Sequence, residues 1–485
     1  MIERVEVMRG GGSALFGSSA IAGTINIITK EPLRNSGQLS HTITSLGGSS
    51  SFDNNTSLNA SLVTDDHRAG LYIFGQNRYR SGYDYDGDGF TELPKLKNQT
   101  VGFRSYLKTS TYSKLTFEYH HMQEFRRGGD MLNRPPHEAH IAEQLQHSID
   151  GGSLKFDYFS PDEKNRLSVF ASAANTDRDS YYGPGNDPLK AYGKTTDLTA
   201  MGGAQYVHTF DKCFFMPSDL TAGLEYNRDR LKDNMWGYNR HTDQTVNIYS
   251  AFLQNEWKND RWGILIGGRL DKHNMVDNVI FSPRANLRFN PTQNINLRLS
   301  YSSGFRAPQA FDEDMHIENV GGTVAMIERA KDLKEEKSQS FSVSADMYHR
   351  FGAFQTNLLI EGFYTRLTDV FVLGEPYDRG DGILVKTRSN GPGAKVMGLT
   401  LEGKVAYLSI LQIQAGLTLQ RSRYDEPHKW HDDAPAEKKI FRTPDTYGYF
   451  TATCTPIKPL SIALSGTYTG RMLVQRMDIL SLIHI

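Results

Sequence analysis

The stretch Asn294-Ile295-Asn296-Leu297-Arg298-Leu299-Ser300-Tyr301-Ser302 decides the fold. Ile295, Leu297, Leu299 and Tyr301 alternate with Asn296, Arg298, Ser300 and Ser302, and a period of two gives an extended strand one apolar and one polar face. The same alternation recurs in Trp262, Ile264, Ile266 and Leu270, in Phe341, Val343, Ala345 and Met347, and in Leu411, Ile413, Ala415, Leu417 and Leu419. It runs from about residue 36 to the end, and helical periodicity is nearly absent. No apolar run approaches the roughly 18 residues of a membrane helix. The start Met1-Ile2-Glu3-Arg4 is too charged for the apolar region of a signal peptide.

Between these strands, short connections (65–68, 258–261, 291–294, 457–459) alternate with long ones (82–99, 125–146, 178–196, 231–245, 304–337, 426–444). Short turns at one end and long loops at the other are the pattern of a transmembrane antiparallel β-barrel. Composition agrees. Apolar residues are only 38% of the 485, while there are 44 Gly, 24 Tyr and 25 Phe. A wide barrel turns its apolar residues to lipid and its polar ones inward, so its mean hydropathy falls below that of a soluble core. Aromatics near strand ends (Tyr301, Tyr348, Phe351, Tyr364, Tyr449, Tyr468) fit interfacial girdles. A soluble β-propeller shares the strand spacing and the aromatic content but lacks the alternation of short and long connections. The formal net charge of -1 excludes a nucleic-acid binder built on bulk positive charge. Cys213 and Cys454 match no metal spacing, and on a wide barrel they are expected near the short turns of opposite walls, unbonded.

The segment Ile2-Glu3-Arg4-Val5-Glu6-Val7-Met8-Arg9-Gly10, followed by Ser13-Ala14-Leu15-Phe16-Gly17-Ser18-Ser19-Ala20-Ile21-Ala22-Gly23-Thr24-Ile25-Asn26-Ile27-Ile28-Thr29-Lys30, closely resembles the end of the plug domain of TonB-dependent outer-membrane receptors. Arg4, Glu6, Arg9, Gly10, Gly17 and Gly23 carry that match. Tyr301-Ser302-Ser303-Gly304-Phe305-Arg306-Ala307-Pro308 with Asp332-Leu333-Lys334-Glu335-Glu336-Lys337-Ser338 resembles the family's paired barrel boxes, and 390–402 gives a third match. In the second, Pro308 stops the strand ladder, and Arg306 is expected to pair with Glu335 or Glu336 at a loop base. The resemblance implies a barrel of about 22 strands, of which about 19 are legible here. It also implies energised uptake of a scarce ligand across the outer membrane of a Gram-negative bacterium, driven by a TonB-type inner-membrane complex.

The expected division is 1–33 as the C-terminal end of the plug, 34–479 as an incomplete transmembrane barrel and 480–485 as a non-native tail. A barrel lacking its final strands would not close on its own. No catalytic constellation is evident, so an outer-membrane enzyme is disfavoured, and the plug match argues against a passive porin. The implied ligand is a small metal chelate, a ferric siderophore or cobalamin, with haem or a glycan as alternatives. Outer-membrane lipid is the expected surround.

Asp84-Tyr85-Asp86-Gly87-Asp88-Gly89 places carboxylates at alternate positions before a glycine, a pattern that can wrap one hard cation. Lys95 stands where an EF-hand wants Glu, so Glu92 would have to complete a calcium loop, and a solvated acidic hairpin tip remains open. Cobalamin receptors of the family carry such an aspartate loop. No cofactor is required; the aspartate loop offers an extracellular calcium site. His316 lies between the two barrel boxes, where haem receptors of the family place a haem-ligating histidine. Arg126 and Arg127 could attract anionic chelates. Tyr181, Tyr182, Trp236, Tyr238 and Trp430 could stack on a planar ligand. His120, His121, His137, His140 and His147 fit no zinc template.

Overall fold

A computed structural model describes residues 2–9, 17, 21, 23–184, 191–320, 323–429 and 435–474. Gly10, Trp430 and the 480–485 segment lie outside the described residues. Nineteen strands of ten residues or more, from Ser36–Ser45 to Leu460–Thr469, follow one another in chain order round an antiparallel barrel, joined late in the circuit by the short strand Glu437–Lys439.

Ile295–Arg306 shows how the alternation builds the wall. Leu299 stands opposite Leu287 on one side and Val343 on the other, and the ring of Tyr301 lies 4.8 Å from that of Phe341. On the opposite face Arg298 stands between Arg288 and Ser344, and Ser300 between Asn286 and Ser342. The apolar face is the outer one. Val343 is 59% exposed and Ile266 56%, and such residues encircle the molecule. Water would penalise a surface this apolar, whereas hydrocarbon solvates it and the ladders satisfy the backbone.

Parity reassigns two of the girdle aromatics. Tyr348 shares a face with Asp346, to which it donates at 2.9 Å, and Tyr449 accepts from Gln414 at 2.8 Å, so both point into the lumen. Tyr301, Tyr364 and Tyr468 keep the outward face, as their pairings with Phe341, Phe341 and Gly448 require. Cys213 and Cys454 are free thiols near short turns.

At the short-turn end the wall is level; at the other it rises unevenly. Tyr192–Cys213 has 22 residues against 12 in Trp262–His273, a difference of roughly 30 Å along the strand. Much of the expected loops at 178–196 and 231–245 is therefore strand: Asn165–Pro184 and Met216–Met235 both climb above the belt, and Arg240–Lys258 descends from there. The connection between Phe354–Thr368 and Ala394–Tyr407 is a long loop the alternation did not reveal. Where the circuit passes from Leu460–Thr469 to Ser36–Ser45 the wall is barest, with all ten residues of the latter exposed.

Ile2–Arg9 and Gly23–Thr29 form a separate two-stranded sheet, in register from Arg4 opposite Ile28 to Arg9 opposite Gly23, with a register shift between Ile2 and Arg4. Glu6 accepts from Arg4 at 2.8 Å and from Asn26 at 3.1 Å. Gly17 and Gly23 take φ of 92° and 151°, which a side chain would resist. The chain then runs along the lumenal face near the short turns. Arg104 donates to Thr29, and Lys114 meets Glu31 at 2.5 Å. A Cβ on Gly70 would fall 2.8 Å from Pro32, so glycine lets the chain pass there.

Candidate ligand-binding mouth

Two long connections interlock over the long-loop end. Thr323–Arg329 runs parallel to Ile383–Asn390, with Val324 beside Ile383 and Arg329 beside Arg388, and Glu318–Val320, Phe371–Leu373 and Tyr377–Asp378 complete a five-stranded sheet. Beneath it lies a small core in which Tyr181, Tyr182 and Met235 from the tall strands, and Tyr238 from the turn between two of them, meet Ile317, Met326 and Ile383 from the loops. Burying these side chains holds the loops against the wall, each contributing about 1.5–3 kcal/mol when fully covered.

Buried charges fix the same contact. Asp233, facing inward, accepts from Thr195 at 2.7 Å and Arg240 at 2.8 Å, with Arg178 at 3.7 Å. Arg240 also donates to the Met315 carbonyl at 2.9 Å, and Gln244 accepts from Ala310 and Arg329, both at 2.8 Å. The helical turn Asp312–Met315 is thus pinned to the lumenal side of the wall. None of these arginines was singled out by sequence. Their parity on extrapolated strands was the available signal, and it was masked because residues 231–245 read as loop.

The expected ligand residues fall into two groups. His316 is half-exposed at the edge of the loop core, edge-on to the Tyr182 ring at 5.4 Å, with Nε2 3.8 Å from Glu143. Tyr182 itself is buried, and its carbonyl accepts from Tyr238 at 2.7 Å. Trp236, next to buried Met235, is 56% exposed. Arg126 faces the lumen elsewhere on the rim and meets Glu124 at 2.7 Å. On the same lumenal face Arg78 pairs with Asp53 at 2.5 Å and Arg80 donates to the Pro94 carbonyl at 3.1 Å. Arg127 points the other way and is buried, donating to the carbonyls of Gly128 and Asp130. It clamps the turn after its strand.

The barrel box lies at the base of the 307–335 loop. The strand ends at Arg306, two residues before Pro308, and Arg306 stands opposite Glu336. Its guanidinium lies 4.1 Å from the Phe311 ring centroid, and Glu336 accepts from the Phe371 amide at 3.0 Å. Burial holds the Glu336 carboxyl above the usual carboxylate range. Glu335 meets Lys337 instead, at 3.0 Å.

The aspartate loop sits on the same rim, since both it and the 307–335 loop join an odd strand of the circuit to an even one. Carboxylate oxygens of Asp84, Asp86, Asp88 and Glu92 lie within 4.8 Å of one another. Asp84 accepts from the amides of Gly87 and Gly89 at 2.7 and 2.9 Å, and Glu92 from that of Tyr85 at 2.5 Å. Gly87 and Gly89 take φ of 80° and 93°, so the turn depends on them. Each carboxylate keeps lone pairs free for a cation. The loop histidines do not converge: His121 meets Asp150, His137 meets Tyr192 and His140 meets Asp130.

An iron-regulated outer membrane virulence protein of Vibrio cholerae is 26% identical over 322 residues, 64% of this chain. The chain spans less than half of that curated relative, 45% of its length. Among solved structures, the siderophore receptor PirA of Acinetobacter baumannii superposes with a TM-score of 0.77 at 17% identity, over 97% of this chain and 73% of that one. A mutant ferric enterobactin receptor of Pseudomonas aeruginosa, in complex with enterobactin, gives 0.75 at 17% identity over the same shares. These likenesses show the fold. Residues 26–472 match the family described as TonB dependent receptor-like, beta-barrel. That match covers nearly the whole wall and sets the chain in the outer membrane of a Gram-negative bacterium; the chain belongs to the TonB-dependent receptor family.

Proposed function

We propose that the receptor takes up a ferric siderophore, with energy delivered by a TonB-type inner-membrane complex acting through the domain that ends in the Ile2–Thr29 hairpin. The observation that carries this reading is the lumenal rim of Arg78, Arg80 and Arg126. Among the described residues, Asp53 and Glu124 are the carboxylates that pair with these three guanidiniums, leaving surplus positive charge on this face of a wide polar lumen. Anionic ferric chelates are drawn to such a site, where a planar guanidinium gives two parallel hydrogen bonds to one ligand. The names of its relatives, receptors for siderophores and ferric enterobactin and an iron-regulated protein, support the same class.

Calcium at Asp84, Asp86, Asp88 and Glu92 belongs to this proposal, supported by the convergence of four carboxylates. The ion would neutralise their mutual repulsion and stiffen the rim. Haem is the second reading, favoured by the half-exposed imidazole of His316 beside Tyr182. Fluorescence titration of the full-length receptor in detergent separates the two. A ferric catecholate should quench in a saturable way that weakens at least tenfold in Arg80→Ala/Arg126→Ala, while His316→Ala leaves it unchanged. Saturable haem binding lost in His316→Ala would replace the siderophore reading.

A further inference from the structure

On Met216–Met235 the side chains at odd positions face the lumen, as buried Thr221, Leu231, Asp233 and Met235 show. The even positions face outward, and read upward they change character in order. Leu220, Ala222 and Leu224 are apolar, with Leu224 65% exposed, and Tyr226 follows, its ring 4.9 Å from that of Tyr249 on the next strand. Above the tyrosines come Arg228, Arg230 and Lys232. Apolar belt, aromatic girdle and cations in that order mark the boundary between hydrocarbon and headgroups, here at the long-loop end and so in the outer leaflet.

Three cations on one strand face stand about 7 Å apart. Arg228 and Arg230 are exposed and make no ion pair among the described residues, while Lys232 approaches Asp243 at 3.7 Å. Their cross-strand neighbours are neutral: Ala200 and Asn247 beside Arg228, Leu198 and Thr245 beside Arg230. Arg230 and Lys232 also line a hollow of about 270 Å³ with Asn175, Thr196 and Leu198. Among the described residues the next carboxylate on this face, Asp177, is two strands from Lys232 and accepts from Asn175. Two unpaired guanidiniums held at headgroup height by a rigid sheet suit a doubly charged phosphate, which each can bind with two hydrogen bonds.

We propose that Arg228, Arg230 and Lys232 form a binding site on the outer wall for the phosphate groups of the outer-leaflet glycolipid. One acyl chain would lie against Ala222 and Leu224 below the phosphate. The site is independent of the lumen and of the imported ligand.

The test uses the full-length receptor purified in mild detergent, with bound lipid measured by native mass spectrometry. Wild type should retain phosphorylated glycolipid, and Arg228→Ser/Arg230→Ser/Lys232→Ser should retain at least tenfold less. Lys108→Ser, at the opposite end of the barrel, should match wild type, and unchanged heat-modifiable migration of the triple variant shows that it folds. Glycolipid stripped of its phosphates should fail to compete, and phosphatidylglycerol should compete at least tenfold less well. Equal retention by the folded triple variant, full competition by the dephosphorylated glycolipid, or equal competition by phosphatidylglycerol would each overturn the assignment.

Discussion

Arg388 of one long loop and Asp314 of another meet at 2.8 Å, both side chains buried beneath the sheet that the two loops share. Removing Asp314 takes a close counter-charge away from the buried Arg388 guanidinium. Asp314→Ala should destabilise loop docking by about 3–5 kcal/mol. Limited proteolysis should then cut within 307–335 while the barrel stays intact. The double change Asp314→Leu/Arg388→Met should restore part of the protection, because it removes both charges of the pair together.

Glu336 offers a pH test at the same loop base, above the membrane belt. Burial raises its folded pKa above the unfolded one, so its contribution is fully present below the unfolded value and is lost as pH rises through the raised folded value. Hydrogen exchange at the Phe371 amide, which donates to Glu336, should speed up across that upper window beyond the intrinsic base catalysis. Glu336→Gln should flatten this extra dependence; an unchanged profile in that variant would assign it to another group.

The wall itself is tested by parity. Leu299 faces lipid and Ser300 the lumen, one residue apart. Leu299→Arg should cost about 2–4 kcal/mol near the bilayer centre, whereas Ser300→Arg should be close to neutral. Urea titration of the inserted full-length receptor measures both, and equal costs would contradict the assigned faces.

Much of this was legible because the period of two is local: Leu297, Leu299 and Tyr301 announce their face without help from any partner strand. Legibility failed where the outer face leaves lipid. At Lys232, Asp233 and Asn234 both faces are polar, so continuing strand reads as loop. Residue type alone also misplaces two aromatics, Tyr348 near a short turn and Tyr449 next to the 426–444 loop, both of which face inward. The parallel pairing of Thr323–Arg329 with Ile383–Asn390 has no local mark at all, since it joins loops some sixty residues apart. The aspartate cluster was readable as a motif because its ligands lie within one turn. The Asp233, Arg240 and Arg178 cluster was not, because three strands contribute to it.

Calcium gives a fourth test. Chelation should loosen the rim loop, read as faster proteolysis between residues 81 and 94, and added calcium should reverse it. Asp84→Asn/Asp86→Asn/Asp88→Asn should be cut fast under both conditions. Identical cleavage of wild type with and without chelator would leave the four carboxylates as a solvated tip.

The central claim is energised uptake of a ferric siderophore, and iron uptake by a deletion strain carrying the full-length receptor measures it most directly. Radiolabelled iron supplied as a ferric catecholate should enter at a saturable rate that collapses when a protonophore removes the proton gradient, and that falls at least tenfold in Arg80→Ala/Arg126→Ala. Labelled cobalamin should not enter above the deletion background. Receptor-dependent entry of cobalamin without entry of iron, or iron entry indifferent to the protonophore, would contradict it.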